Sequence, residues 1–412
     1  MKRSFSFGPR DISLVAAGCA LIAATYGLVR LAFGLFLPDV QADLGLADTG
    51  AGLVSSGASL VYCVGALVGF VVGPHRPRAL VVAAALTAGG GAAGMAAAPG
   101  IAVFAVAAIL ASAGAGLASP ALVTIVHRSV TSSSVDRAQT MVNAGTGPGL
   151  VAAGILALVL LPGWRLAWMV IAVVTGLVAL LVLRLDHGAD TPRGPADPTG
   201  RPSPPPSSWL PPRAWFVAHS APIVAALLLG AGSAGVWTYG RAHLVAAGVS
   251  ETTSVTAWIA LGAGGAAVIV TARHLAMLRP PAAWTLTAAG VALASAALGL
   301  LPGVTTAALA ACVAFGWAYT AGSGVLIAWT ADLDAERASS GTSLLFVALV
   351  LGQALGSAGA GGLAGSTSTG TALLAAAAVS GAAAVVPHVL GAGRGRGGSR
   401  PDEPLEAGVA HR

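Results

Sequence analysis

Long apolar stretches follow one another along nearly the whole chain, from Leu14 to Leu37, Gly50 to Gly73 and Ala79 to Ala98 through to Ala372–Leu390. About twelve of them reach the length a helix needs to cross a hydrocarbon core. The loops between them alternate in charge. With a cytoplasmic N-terminus, 18 of the 21 Lys+Arg fall on one side, from Lys2, Arg3 and Arg10 through Arg76, Arg78, Arg128 and Arg137 to Arg412. Arg165 and Arg241 sit near the outer ends, and Arg30 lies within the first stretch. The positive-inside rule then predicts a multi-pass protein of a bacterial inner (plasma) membrane with both termini cytoplasmic.

Composition excludes the soluble alternatives. The chain is 56% hydrophobic and 9% charged, whereas a water-facing surface wants about a quarter to a third charged residues. The net charge of +6 is spread over short loops, which speaks for topology and anionic headgroups and against a nucleic-acid partner. Lys2 is the only lysine, a codon bias of GC-rich genomes with no chemistry in it. Cys19, Cys63 and Cys312 fall inside spans without ligand-like spacing, so neither a disulfide framework nor a metal site is predicted, and no cofactor. The segment from Met1 into Leu14 onward mimics a signal peptide. Its apolar run is too long and contains Arg30, so it reads as an uncleaved first helix.

One segment breaks the pattern. Residues 186–213 contain Thr191-Pro192-Arg193-Gly194-Pro195 and Ser203-Pro204-Pro205-Pro206-Ser207, a composition that reads as a semi-extended cytoplasmic linker. It divides a six-span N-terminal bundle (1–185) from a six-span C-terminal bundle (214–390), and a Gly/Arg/Pro-rich tail expected to be disordered (391–412) follows. A weak internal echo points to duplication. Gly45 and Asp48 recur as Gly248 and Glu251, 203 residues later, and Arg137-Ala138 recurs as Arg337-Ala338, 200 residues later. The expected fold is therefore an all-α membrane protein of twelve transmembrane helices in two six-helix pseudo-repeats, a transporter architecture.

Three local features resemble the major facilitator superfamily: Leu37-Pro38-Asp39 leading through Leu44-Gly45-Leu46 to Ser55-Ser56-Gly57, Gly163-Trp164-Arg165 before the sixth span, and Gly145-Thr146-Gly147-Pro148-Gly149 in the fifth. The last is similar to the Gly-Pro motif of antiporting members. The loop after the second span departs from the family: its basic residues Arg76 and Arg78 remain, but the usual acidic partner is gone. The resemblance implies a central cavity lined by the first, fourth, seventh and tenth helices. The passage Tyr26 to Pro38 is also similar to cyanate-permease-like and organophosphate-antiporter-like members, and in the organophosphate antiporters an arginine about two turns before such a proline binds the substrate anion.

Arg30 is the sharpest candidate. A charge within a span costs at least ~2.5–3.5 kcal/mol on insertion scales, so it usually faces a polar cavity and a partner. At helical spacing Tyr26, Arg30 and Gly34 share a face, with a gap at Gly34 for a ligand. The alternative is that Arg30 snorkels or ties helices through backbone carbonyls. No second arginine stands near Ala231, so a carboxylate or other monoanion fits better than a doubly charged phosphate. Trp237, Trp317 and Tyr319 are expected to line the cavity or simply to pack. Asn143 and Gln353 are expected to contact substrate or to bond between helices. Gly145, Gly147, Pro148 and Gly149 are read as helix-packing or gating positions, and Arg241 as a gate or an interfacial anchor. Trp164, Trp168 and Trp284 read as interfacial belt residues.

No carboxylate lies in mid-span to relay a proton. Asp39 and His243 are the substitutes, though their outer-end position favours solvation. The functional expectation is a secondary transporter working by alternating access, not an enzyme, with a small anion as lead substrate. The alternatives are drug or metabolite efflux and, from another class, a non-transporting sensor. Its expected partners are a small-molecule substrate, the lipid bilayer and a coupling ion such as H+, with the chain acting as a monomer.

Overall fold

Helices of membrane length run back and forth through the residues described by the computed structural model, 9–131, 134–186 and 212–391. Six precede the central segment: α1 (Arg10–Leu44), α2 (Asp48–Val72), α3 (Pro77–Ala96), α4 (Ile101–Ser129), α5 (Arg137–Leu160) and α6 (Trp164–Leu185). Six follow it: α7 (Ser220–Ala246), α8 (Glu251–Ala266 and Val268–Leu275, bent by 43°), α9 (Pro280–Leu300), α10 (Thr305–Leu333), α11 (Ser340–Ser366) and α12 (Thr369–Leu390). The short helix Arg213–Ala218 leads into α7. Most of the expected linker (187–211) and the expected tail (392–412) lie outside the described residues.

The duplication is written in two turns. Gly45 and Gly248 are the positive-φ residues among those described, at 70° and 82°, a region open to glycine because it lacks a Cβ. Gly45 closes α1 by donating to the Gln41 carbonyl. Gly248 donates to Val245 and Val249 to Leu244, the paired bonds of a Schellman stop. Asp48 and Glu251 then open α2 and α8, their carboxylates favoured by the positive end of the helix dipole.

Where lipid removes the hydrophobic drive between helices, close backbone packing holds them, and small residues permit it. Gly145 and Gly149 of α5 press on α1: a Cβ on the first would collide with the Cys19 carbonyl, and on the second with that of Ala23. Gly147 faces α8 instead, near Gly262 and Ala266. Pro148 has no N–H for the carbonyl four residues back, and α5 accordingly breaks between Asn143 and Thr146. Gly352 and Gly356 seat α11 on the Leu227 and Ala231 carbonyls of α7.

Several expectations from sequence are corrected. The first span does not end at Leu37; its helix continues through Pro38 to Leu44. Nor is it α-helical throughout. Residues Ala23–Leu31 form a π-helix, and the α-helix resumes at Phe33. The Thr25 hydroxyl donates to the Leu21 carbonyl at 2.8 Å, competing with the backbone ladder where the winding loosens. Trp164, Trp168 and Trp284 are buried rather than interfacial. Trp168 packs on Phe36, Trp164 on Phe104, and Trp284 donates its N–H to the Ala383 carbonyl.

The missing loop acid has a substitute. Asp186, at the end of α6, is fully buried and pairs with both Arg78 and Arg128. Arg78 also donates to its backbone carbonyl at 2.7 Å. These charges tie α3, α4 and α6 together within the first half.

One hydrophobic core takes in both halves: in the first half it runs from Ala24 toward loops 45–47, and in the second it runs the length of the bundle, from Ala221, Trp284 and Trp329 to Leu244 and Val255. Toward the opposite end, a second core is built solely from residues of the first half, such as Leu14, Leu80, Leu122, Val142 and Val182. There the second segment of α8, Val268–Leu275, has no buried residue.

Candidate functional site

The π segment of α1 carries Tyr26 and Arg30, one on the turn below the other. The half-buried Arg30 guanidinium lies over the Tyr62 ring of α2, 4.7 Å from its centroid, and 5.7 Å from that of Tyr26. Such faces stabilise a cation by about 0.5–2 kcal/mol without neutralising it. The two phenols bond to each other, Tyr26 donating. Arg30 Nη2 donates to Gln353 Oε1 of α11 at 2.8 Å and, at 3.4 Å, to Ser59 Oγ of α2. Gln353 Nε2 in turn donates to the Tyr319 hydroxyl of α10 at 2.8 Å. The amide thus accepts from one half and donates within the other, which fixes its orientation. Among the described residues Arg30 has no carboxylate partner, and its buried Nε has no partner at all.

Trp237 of α7 forms the neighbouring wall, edge-on to Tyr319, Phe315 and Trp258 at centroid distances of 5.3, 5.4 and 6.1 Å. Its indole N–H is buried without a partner. The gap expected at Gly34 is occupied by protein: a Cβ there would run into the Trp237 carbonyl. That position is a crossing of α1 and α7, and Gly34 lines the cavity beside Arg30 together with Trp237.

Of the sequence candidates, Arg30, Tyr26, Gln353, Tyr319 and Trp237 come together. Trp317 does not join them; its N–H donates to Thr271 of α8 at 2.8 Å. Asn143 is exposed on α5, with Gln139 as its neighbour. His243 bonds Thr369 at the start of α12. Tyr62 and Ser59 join the site from the second helix, which is not among the four expected to line the cavity. A signal for the tyrosine was present: the chain has four tyrosines, and Tyr62 is the one in the second apolar stretch.

Arg241 and Asp39 form a second constellation, between the halves. Arg241 is 2% exposed and donates through Nη1 to Asp39 Oδ2 and to the Leu35 carbonyl, both at 2.5 Å, and through Nε to Ser254 Oγ at 3.2 Å. It is no interfacial anchor, and Asp39, its side chain 12% exposed, is not a solvated acid. Around this pair Tyr239 donates to the Asp48 carbonyl at 2.7 Å, Thr238 to Ser55 at 3.0 Å, and Ser55 meets Ser357 at 3.0 Å. Every one of these bonds but that to Ser254 joins the first half to the second, at the end carrying loops 45–47 and 247–250.

Comparisons with known proteins agree with this architecture. Residues 19–333 match the profile of the Major Facilitator Superfamily. The fold is similar to that of a mutant form of the nucleoside transporter NupG, with a TM-score of 0.74 at 13% identity over 92% of this chain and 99% of that one. It is similar to a mutant form of a peptide transporter, POT, in complex with alafosfalin, with a TM-score of 0.73 at 16% identity over 96% of each chain. A bacterial homologue of the human lysosomal transporter Spinster, in an inward-facing and unoccupied conformation, gives 0.69 at 16% identity over 94% of this chain and 96% of that one. No curated protein sequence matches the chain. At these identities the solved structures speak for the fold alone, while the profile covers most of the chain. The chain belongs to the Major Facilitator Superfamily, and is a multi-pass secondary transporter of a small molecule, not an enzyme.

Proposed function

We propose that this transporter carries a small monoanion, with Arg30 as its principal contact. One observation carries the reading: a cation held mid-span on two aromatic faces, with an unpartnered Nε and, among the described residues, no carboxylate bonded to it. An intramembrane charge is retained only where something polar compensates it. A single guanidinium suits a single negative charge, and its planar fork suits carboxylate oxygens. Gln353, Tyr319, Tyr26 and Tyr62 orient the guanidinium, and Trp237 flanks the ligand. Asp39 is engaged by Arg241, so a coupling proton, where one is used, travels with the anion.

The bundle represents the state closed at the end of loops 45–47 and 247–250. In the orientation expected from the arginines that end is periplasmic, and the state faces the cytoplasm. Reporters fused after Pro195 and at the C-terminus are expected to be cytoplasmic and one at Ala47 periplasmic; an outward central segment overturns this orientation.

The aromatic wall of Trp237, Phe315 and Tyr319 supports a second reading, efflux of a drug or apolar metabolite. Uptake into proteoliposomes, screened across small anions and cationic dyes with and without a pH gradient, separates the two. Anion transport alone supports the first reading, and dye transport alone replaces it with the second.

Close packing of α1 on α5 is part of the same reading. Gly149→Leu is expected to impair transport while leaving membrane insertion intact, because the Ala23 carbonyl stands where its Cβ must go. Full activity in that variant shows that the contact is dispensable.

A further inference from the structure

We infer that Gln353 is a latch between the halves, and that a bound anion releases it by taking its place on Arg30 Nη2. The inference rests on the anion reading and on the closed state described above, and it gives that site control of the conformational switch.

The latch is the innermost rung of a ladder. From the end carrying loops 45–47, α2 and α11 run antiparallel, with Thr49 against Gly365, Gly52 against Gly361, and Ser55 bonded to Ser357 at 3.0 Å. At the next rung Arg30 Nη2, from α1, donates to Ser59 Oγ of α2 at 3.4 Å and to Gln353 Oε1 of α11 at 2.8 Å. The longer contact stays within the first half, and the shorter one crosses to the second. A hydrogen bond from a charged donor is roughly twice as strong as a neutral one, so this rung holds harder than the hydroxyl pair beside it.

The same bond stands in the way of a ligand. A guanidinium offers a carboxylate two forks, end-on through Nη1 and Nη2 or side-on through Nε and Nη2, and both use Nη2. Nε is buried. Nη1 makes no hydrogen bond among the described residues and, unlike Nε, is not shut off from solvent. Arg30, Ser59 and Gln353 line one cavity. A carboxylate on the end-on fork therefore competes with the Gln353 oxygen for Nη2. The released amide is not orphaned: the Tyr319 hydroxyl, which accepts from Nε2 at 2.8 Å, can turn and donate to Oε1 instead.

Linkage does the rest. In the closed state the anion has to displace Gln353, whereas with the seam open the latch is already broken and Nη2 is free. The anion binds the open-seamed state more tightly by that difference and shifts the population toward it. Without an anion, the latch favours closure.

The test is binding of acetate and benzoate to the full chain in nanodiscs, by calorimetry, for the parent and for Gln353→Met, Gln353→Asn and Arg30→Ala. Spin labels at Ala47 and Val249, in a background lacking Cys19, Cys63 and Cys312, read the seam with and without each anion. Gln353→Met keeps the length of the side chain and removes the acceptor. It should bind roughly ten- to a hundredfold more tightly than the parent, the range of one hydrogen bond to a charged group. Its longer-distance component should be raised without an anion and gain little when one is added, while in the parent that component rises with the anion. A merely structural glutamine would not tighten binding when removed. Thermal unfolding identifies loss of fold, and Gln353→Asn, one methylene shorter and withdrawn from Nη2, keeps the test decisive if the methionine variant misfolds. Arg30-dependent binding that is unchanged or weaker in both variants overturns the latch but leaves the anion reading standing. So does a seam that responds to the anion equally with and without Gln353, or not at all in the parent. Absence of Arg30-dependent binding of either anion in the parent and in both variants overturns both.

Discussion

Arg30→Ala is expected to abolish anion binding and transport without loss of the folded protein. The side chain it removes has no buried carboxylate partner among the described residues, so truncation leaves neutral hydroxyls and an amide behind rather than an uncompensated charge. Arg30→Lys keeps the charge but replaces the planar fork with a point donor and gives up the stacking on Tyr62. One charge-assisted hydrogen bond is worth about 1.5–3 kcal/mol, so the lysine variant should bind roughly ten- to a hundredfold more weakly. Gln353→Glu supplies the complementary result. Its carboxylate would arise 2.8 Å from Nη2, pair with the guanidinium from within the chain, and exclude the substrate while leaving the protein at least as heat-stable as the parent. Titration calorimetry and proteoliposome uptake with the same anion read all three variants. Normal binding and transport by Arg30→Ala makes the residue structural and removes the main support for an anion.

How much of this was legible beforehand follows from which forces act locally. Spans, halves and the paired turns at Gly45 and Gly248 are matters of hydropathy and of φ, which each segment decides largely for itself. Arg30 stood out for the same reason, since a charge in an apolar run is costly wherever it lies. Its surroundings were not legible. The π winding over Ala23–Leu31 coincides with the Thr25 bond to Leu21 and the approach of Gly149 from another helix, and no periodicity in α1 reports it. Asp39 and Arg241 are 202 residues apart and each looked like a helix-end charge destined for water. Asp186 looked like the start of a linker, although Arg78 and Arg128 bury it. Trp168 and Trp284 satisfied the rule for interfacial aromatics by position, but neighbouring helices reach far enough to cover them.

Breaking the Arg241–Asp39 pair should shift the transporter away from the state described here. Arg241→Met leaves Asp39 facing a closed interface with its charge unpaired, and removing one partner of a buried pair costs about 3–5 kcal/mol. The protein escapes that cost by separating the halves at this end, where the carboxylate regains water. A penalty of about 3 kcal/mol corresponds to roughly a hundredfold change in the ratio of the two states, enough to reverse a modest preference for closure. Asp39→Asn acts in the same sense: its amide oxygen can still accept from Arg241, but no negative charge is left to neutralise the buried guanidinium. The double variant Asp39→Leu with Arg241→Met has no charge left to hydrate, and apolar replacement of a buried pair is often neutral or stabilising. Closure should therefore return. Spin labels at Ala47 and Val249, in a background lacking Cys19, Cys63 and Cys312, report the separation of the two loops. Each single substitution should move the distance distribution to a longer component, and the double variant should restore the shorter one. If both single variants keep the parental distribution, the pair is a passive contact, and closure rests on the surrounding hydroxyl and backbone bonds of Tyr239, Thr238 and Ser55.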